Sequence, residues 1–244
     1  MDQSVYRKMF SFSLPTLLGL LFLLIVSSIT TQSFAEEKVK KETVEKPKGK
    51  VIQLFDGKSL KNWKITDFGG QGDVRAEEGK LILSPGEPIT GVHWVGPKLP
   101  TENYEISFDA QRVDGNDFFC ALTFPVKDKP CSMVLGGWGG SLIGLSNIND
   151  FDASENETTD YYSFENEKWY NIRLRVDEKF IRAWIDDEQT IKVDHTEARI
   201  SIRIEMELSK PVGLATFQTT GAIKNFKMTE LKAEKKEKTK TKKE

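Results

Sequence analysis

The sequence predicts an all-β sandwich of antiparallel sheets, and three observations predict it. Apolar and polar residues alternate with a period of two in several segments, as in strands with one face in a core. Turn-forming pairs punctuate those segments at short intervals. No long stretch has convincing helical periodicity, and only Glu155 to Asp160 has room for a single helical turn.

The strands follow in order. From Tyr104 to Ala110, Tyr104, Ile106, Phe108 and Ala110 share one side while Glu105, Ser107 and Asp109 share the other. Cys120 and Cys131 flank an expected hairpin, FFCALTFPVKDKPC. Ile172, Leu174 and Val176 alternate with Asn171, Arg173, Arg175 and Asp177, and Ile181, Ala183 and Ile185 alternate with Arg182, Trp184 and Asp186. A last row sets Ile200, Ile202, Ile204, Met206 and Leu208 against Ser201, Arg203, Glu205 and Glu207, which predicts a strand from Ile200 to Leu208. Asp56-Gly57, Glu78-Gly79, Pro85-Gly86, Asp114-Gly115-Asn116 and Asp186-Asp187-Glu188 mark turns.

The two ends differ from this middle. Residues 1–35 read as a signal peptide: Arg7 and Lys8, an uncharged apolar run from Leu14 to Ile29, then Ser33-Phe34-Ala35 before Glu36. The run falls short of the roughly 20 residues that span a bilayer, although an uncleaved anchor is the rival reading. The expected location is therefore secreted or periplasmic, with no membrane span after signal cleavage. Residues 36–50 form a charged linker too poor in apolar surface to order itself, and 232–244 form a lysine-rich disordered tail of the same character. Between them, 51–231 suits one domain with a substantial core.

The chain has a net charge of −2 with its positive excess in the ends, so the middle is more acidic than the whole. An acidic domain repels phosphate backbones, which excludes nucleic acid as a partner. The lysine tail suits at most a weak contact with an anionic envelope polymer. In an exporting compartment the two cysteines, Cys120 and Cys131, have two readings, a disulfide or two buried thiols.

Particular residues resemble a known family. Leu54-Phe55-Asp56-Gly57-Lys58-Ser59-Leu60 with Trp63-Lys64 is similar to the opening motif of the 3-keto-disaccharide hydrolase domain family. In the same order come Glu77-Glu78-Gly79-Lys80-Leu81, Asn103-Tyr104-Glu105-Ile106, Lys168-Trp169-Tyr170-Asn171, the Ile181 to Asp187 segment, and Ile223-Lys224-Asn225-Phe226 with Leu231. The resemblance covers Val51 to Leu231. It implies a concanavalin A-like jelly-roll sandwich of two antiparallel sheets. It also implies an extracytoplasmic carbohydrate partner: glycosides oxidised at C3 of the sugar, which are cleaved. Gly115-Asn116-Asp117 departs from the family's usual Gly-Asn-Ser-Gly, and Gly136-Gly137-Trp138-Gly139-Gly140 is unusual for it.

Candidate site residues follow from the chemistry such a substrate needs. A 3-keto group acidifies the C–H at C2, so a base there and an acid at the leaving oxygen would cleave the bond by elimination, with hydration giving net hydrolysis. Glu205, Glu207 and His93 are the candidates for these proton transfers, with Arg203 on the same face to hold one carboxylate ionised and to bind substrate. The plain alternative is a solvated outer face with ordinary ion pairs. Trp138, bare among glycines, and Trp94 beside His93 are candidate stacking platforms for a sugar ring, and Asp117 a candidate for its hydroxyls. The alternative for each tryptophan is core packing. The oxygen-rich loop from Asn147 to Asp160 suits a divalent cation such as calcium, with Asp150, Asp152 and Glu157 as ligands, or is an acidic surface loop without metal. The same sandwich without the proton-transfer groups would be a carbohydrate-binding or envelope-adhesion module.

Overall fold

The computed structural model describes residues 47–232. The expected signal peptide, residues 36–46 of the expected linker and the expected tail after Lys232 lie outside the described residues. Among the described residues no helix is long and apolar enough to cross a membrane.

The strands, in chain order, are β1 (Val51–Gln53), β2 (Trp63–Ile65), β3 (Val74–Glu77), β4 (Lys80–Leu83), β5 (Ile89–Trp94), β6 (Tyr104–Asp114) and β7 (Cys120–Val126). There follow β8 (Lys129–Gly136), β9 (Leu142–Ser146), β10 (Asp160–Tyr161), β11 (Trp169–Val176), β12 (Phe180–Ile185), β13 (Glu188–Asp194), β14 (Gly213–Phe217) and β15 (Thr220–Glu230). They build two antiparallel sheets. One has the order β13-β12-β11-β6-β15-β4-β3, with β1 also on β15; the other has the order β10-β9-β8-β7-β14-β5-β2. The fold is the sandwich of the lectin and glucanase type that the alternation and the resemblance predict.

The period-two pattern builds the core directly. Tyr104, Ile106 and Phe108 of β6 and Ile172 and Leu174 of β11 point inward from the eight-stranded sheet. They meet Leu122, Phe124, Met133, Leu135, Ile143 and Leu145 of the seven-stranded one. Trp184, on the polar side of β12, is still buried because the Arg173 and Arg175 guanidinium groups lie 4.6 and 5.6 Å over its ring.

Three expectations are corrected. The segment from Ile200 to Leu208 is not a strand: a 3-10 helix occupies Ile204–Ser209, and Ile204 and Leu208 are 83% and 56% exposed. Its buried residues, Met206 and Ser209, are three apart, the repeat of a 3-10 turn and not of a strand. The two cysteines form no disulfide. Cys120 pairs in register with Leu135 and Cys131 with Phe124, an offset of four residues or about 13 Å along the hairpin, well beyond the ~7 Å between α-carbons that a disulfide spans. Both are buried thiols, and burial pushes Cys131 up to about 12. Trp94 is core: it is 4% exposed, packs edge-on to Trp63 at 5.4 Å, and donates its Nε1 hydrogen to the Pro97 carbonyl at 2.8 Å.

Candidate functional site

The outward face of the seven-stranded sheet is paved with small residues. In β7, β8 and β9 the residues between the large inward ones are Ala121 and Thr123, Ser132 and Val134, and Gly144 and Ser146. Register aligns Gly144, Val134, Ala121, Ala215 and Gly91 in one row across five strands. The next row is Ser146, Ser132, Thr123, Gly213 and His93. A trough follows because short side chains leave space above the sheet that flanking segments close only at its ends. The Ala153 loop covers Gly144, the Phe68 ring covers Gly91, and Ser209 of the 3-10 helix covers Gly213.

What remains open is a pocket of about 400 Å³. Its floor is Ala121, Ser132, Val134 and Ser146, and its walls include Ile89, Phe118, Met206 and Phe217. Asp117, Trp138, Arg203 and Glu205, four of the residues singled out in the sequence, line it as well.

Trp138 is held at the pocket by a left-handed turn that its flanking glycines favour. Gly136, Trp138, Gly139 and Gly140 all have positive φ, at 76°, 48°, 90° and 106°. A Cβ at Gly140 would lie 2.8 Å from Arg112 Nη1 and 3.0 Å from the Asn116 carbonyl oxygen. Arg112, 7% exposed, is the anchor beneath this turn. It donates to the Gly140 carbonyl at 3.0 Å, to the Phe164 carbonyl at 2.6 Å and to Asn166 Oδ1 at 2.6 Å. Asp117 binds the same turn from the other side, its carboxylate accepting from the Gly139 N–H at 3.2 Å and from the Phe118 N–H at 2.7 Å. The two stretches that depart from the resembled family are therefore in contact. The indole itself is 48% exposed.

The charged side chains that line the pocket are Asp117 and the Arg203–Glu205 pair, and Asp152 holds Arg203 from outside the lining. Arg203 donates to Glu205 Oε1 at 3.0 Å and to Asp152 Oδ2 at 2.7 Å. The Arg203 hydrogen bond holds the Glu205 carboxyl below the usual glutamate range, and Glu205 in turn raises Arg203. Both therefore stay charged at neutral pH.

The other expected site residues lie elsewhere. Glu207 turns to Lys210 and does not line the pocket, so the carboxylate pair expected on one strand face does not form. His93 shares the outward face but stands three strands from Ser132, roughly 14 Å away, with the Ser209-covered Gly213 between. Its Nδ1 lies 2.9 Å from Thr66 Oγ1, and burial followed by the Lys64 charge lowers its pKa. Asp150 pairs with Arg199 and Asp152 with Arg203, while Glu157 is exposed. Among the described residues no three His, Cys, Asp or Glu side chains converge as a metal site would require. Asn156 instead organises this loop, its Nδ2 donating to the Leu145 and Asp152 carbonyls at 2.7 and 2.6 Å.

Sequence reasoning missed the pocket walls and the Asp152–Arg203 link. One signal was present: in β7 to β9 the residues between the large apolar ones are small and not charged, unlike those of β6 or β11.

Known structures share the fold at low identity. A structure described with endo-acting O-glycanases that prominent members of the human gut microbiota express to initiate mucin breakdown has a TM-score of 0.52 at 13% identity. That match covers 75% of this chain and 99% of the other. The apo Crh5 transglycosylase has a TM-score of 0.51 at 9% identity, covering 78% and 90%. A putative glycosyl hydrolase from Parabacteroides distasonis has a TM-score of 0.49 at 12% identity, covering 75% and 94%. No curated protein matches the sequence. The model of the 3-keto-alpha-glucoside-1,2-lyase-like domain matches residues 50–229, the whole of the sandwich from just before β1 nearly to the end of β15. The chain belongs to that family.

Proposed function

We propose that the protein is an exported carbohydrate-active enzyme that cleaves 3-keto-glycosides by 1,2-elimination at this pocket. The observation that carries the reading is that an open indole, Trp138, and an ionised Arg203–Glu205 pair line one cavity. The sugar ring lies against Trp138, whose face attracts the polarised C–H bonds of a pyranose. The C3 carbonyl acidifies the C2 proton, and Glu205 takes it. The electron pair forms the C1–C2 double bond as the C1–O bond breaks. Negative charge that builds on the carbonyl oxygen is stabilised by Arg203. The proton returns from Glu205 to the departing oxygen, so one carboxyl serves as base and then as acid. Addition of water to the unsaturated product completes a net hydrolysis.

A second reading has its own support. Both Glu205 oxygens face Arg203 nitrogens, at 3.0 and 3.3 Å, and both Asp117 oxygens hold backbone N–H groups. A pocket whose carboxylates are all engaged suits a carbohydrate-binding module without turnover. Incubation of the purified protein with 3-keto-glucosides and their unoxidised parents, with and without chelator, separates the two. Sugar release from the keto substrates alone, abolished in Glu205→Gln, establishes the enzyme. Binding without release establishes the module. Loss of release with chelator would bring the Asp150–Glu157 loop back as a calcium site.

A further inference from the structure

We infer that the floor of the pocket is an aglycone subsite for a flat apolar ring, so that the pocket takes a glycoside of an aromatic alcohol in preference to a disaccharide. The inference rests on the proposed reading for the sugar half and deepens it.

The pocket has two chemically distinct levels. Its outer level is polar: the Arg203 and Glu205 side chains are 40% and 46% exposed, beside the half-exposed Trp138. Its floor is made of small residues that expose little surface of their own, Ala121, Ser132 and Ser146 at 2% each and Val134 at 6%. Phe118 and Phe217, with centroids 5.6 Å apart, add an aromatic wall.

The two floor hydroxyls are already engaged. Ser146 Oγ donates to Asn147 Oδ1 at 3.0 Å and accepts the Ala153 N–H at 3.3 Å. Ser132 Oγ shares a hydrogen bond with Thr123 Oγ1 at 3.0 Å. Between them they leave one hydroxyl hydrogen unassigned. A second pyranose on this floor would lose the water on several hydroxyls and find carbon in its place, and a buried polar group without a partner is costly. A phenyl ring loses nothing there and gains the burial of its own surface and of the aromatic wall. Its sugar then stands at the outer level, beside the Arg203–Glu205 pair and Trp138.

Equilibrium binding to the full chain, measured by calorimetry, tests this with unoxidised ligands that are not turned over: phenyl glucoside, methyl glucoside, a glucose disaccharide and phenol. The expected result is phenyl glucoside binding about tenfold or more tighter than methyl glucoside and the disaccharide, the discrimination an apolar pocket gives. Val134→Thr or Ala121→Ser, whichever keeps the circular-dichroism spectrum, narrows that gap by placing a hydroxyl on the floor. Equal or tighter binding of the disaccharide, or no binding of phenyl glucoside at millimolar concentration, overturns the inference. The keto forms keep it apart from the parent reading. Cleavage of a keto-disaccharide as fast as the keto-phenyl glucoside overturns the subsite and leaves the enzyme. A phenyl preference without any cleavage overturns the enzyme and leaves the subsite.

Discussion

Trp138 is the residue at which stability and function separate most cleanly. Its φ of 48° is strained for any side chain but free for glycine, and nearly half its surface is exposed, so the fold gains little from the indole. Trp138→Gly is therefore expected to leave the melting temperature unchanged or raised, while glycoside affinity falls about tenfold; calorimetric unfolding and binding titrations on the same sample check both. Large destabilisation would mean the indole is core after all. Glu205 offers a second test. Its folded pKa is held below the ordinary 4.5 by the Arg203 hydrogen bond, so the carboxylate persists as pH falls through the usual glutamate range and is lost only lower down. If it is the base, the acid limb of kcat/KM should lie below pH 4.5. Arg203→Gln should move that limb upward as well as slow the reaction. Both residues were legible as candidates from type and neighbours alone. Glu207 was not separable from Glu205, because only the 3-10 backbone turns it to Lys210.

At the scale of elements, what the sequence disguised was period. Ile200, Ile202, Ile204, Met206 and Leu208 alternate as a strand does, but the pairing that starts at the Ile200–Ile148 bridge ends with Ser201, whose backbone exchanges hydrogen bonds with Asn147. Without a ladder the chain turns at a repeat of three and sets Met206 and Ser209 on the sheet. Alternation could specify β6, β11 and β12 because each found partners on both sides. The Gly136–Gly140 turn is the other element the site depends on, and its anchor is remote in sequence. Arg112→Ala removes a buried cation from the Gly140 and Phe164 carbonyls and from Asn166. The expected cost is about 2–4 kcal/mol, a fall of roughly 4–16 °C in melting temperature for a domain of this size. Thermal unfolding reads the cost, and tryptophan emission reports any release of the Trp138 turn. A change under about 0.5 kcal/mol would show that the turn holds without Arg112.

Across the whole molecule, the sandwich was legible because inward residues announce themselves strand by strand. The face that carries the pocket was not, since it depends on pairings far apart in sequence such as β7 with β14 and on which loops close the trough. The cysteines illustrate the same limit. A hairpin flanked by two cysteines in an expectedly exported chain invites a disulfide, and only the register of β7 on β8 refuses it. Cys120 and Cys131 are instead fully buried between the sheets, and burial pushes both thiols far above their ordinary pKa. Reaction requires the thiolate at an accessible surface, so neither thiol can react until the sheets part. The two should therefore label together, at a rate set by global opening and not by either site. With a chromogenic disulfide reagent the native protein should release no colour over hours, whereas in denaturant two equivalents should appear at once. Prior reduction should leave the melting temperature unchanged, as it must where no disulfide exists. Rapid labelling of one thiol in the native state would mean that one end of the β7–β8 hairpin opens independently of the core, and a reduction-sensitive melting temperature would restore the disulfide.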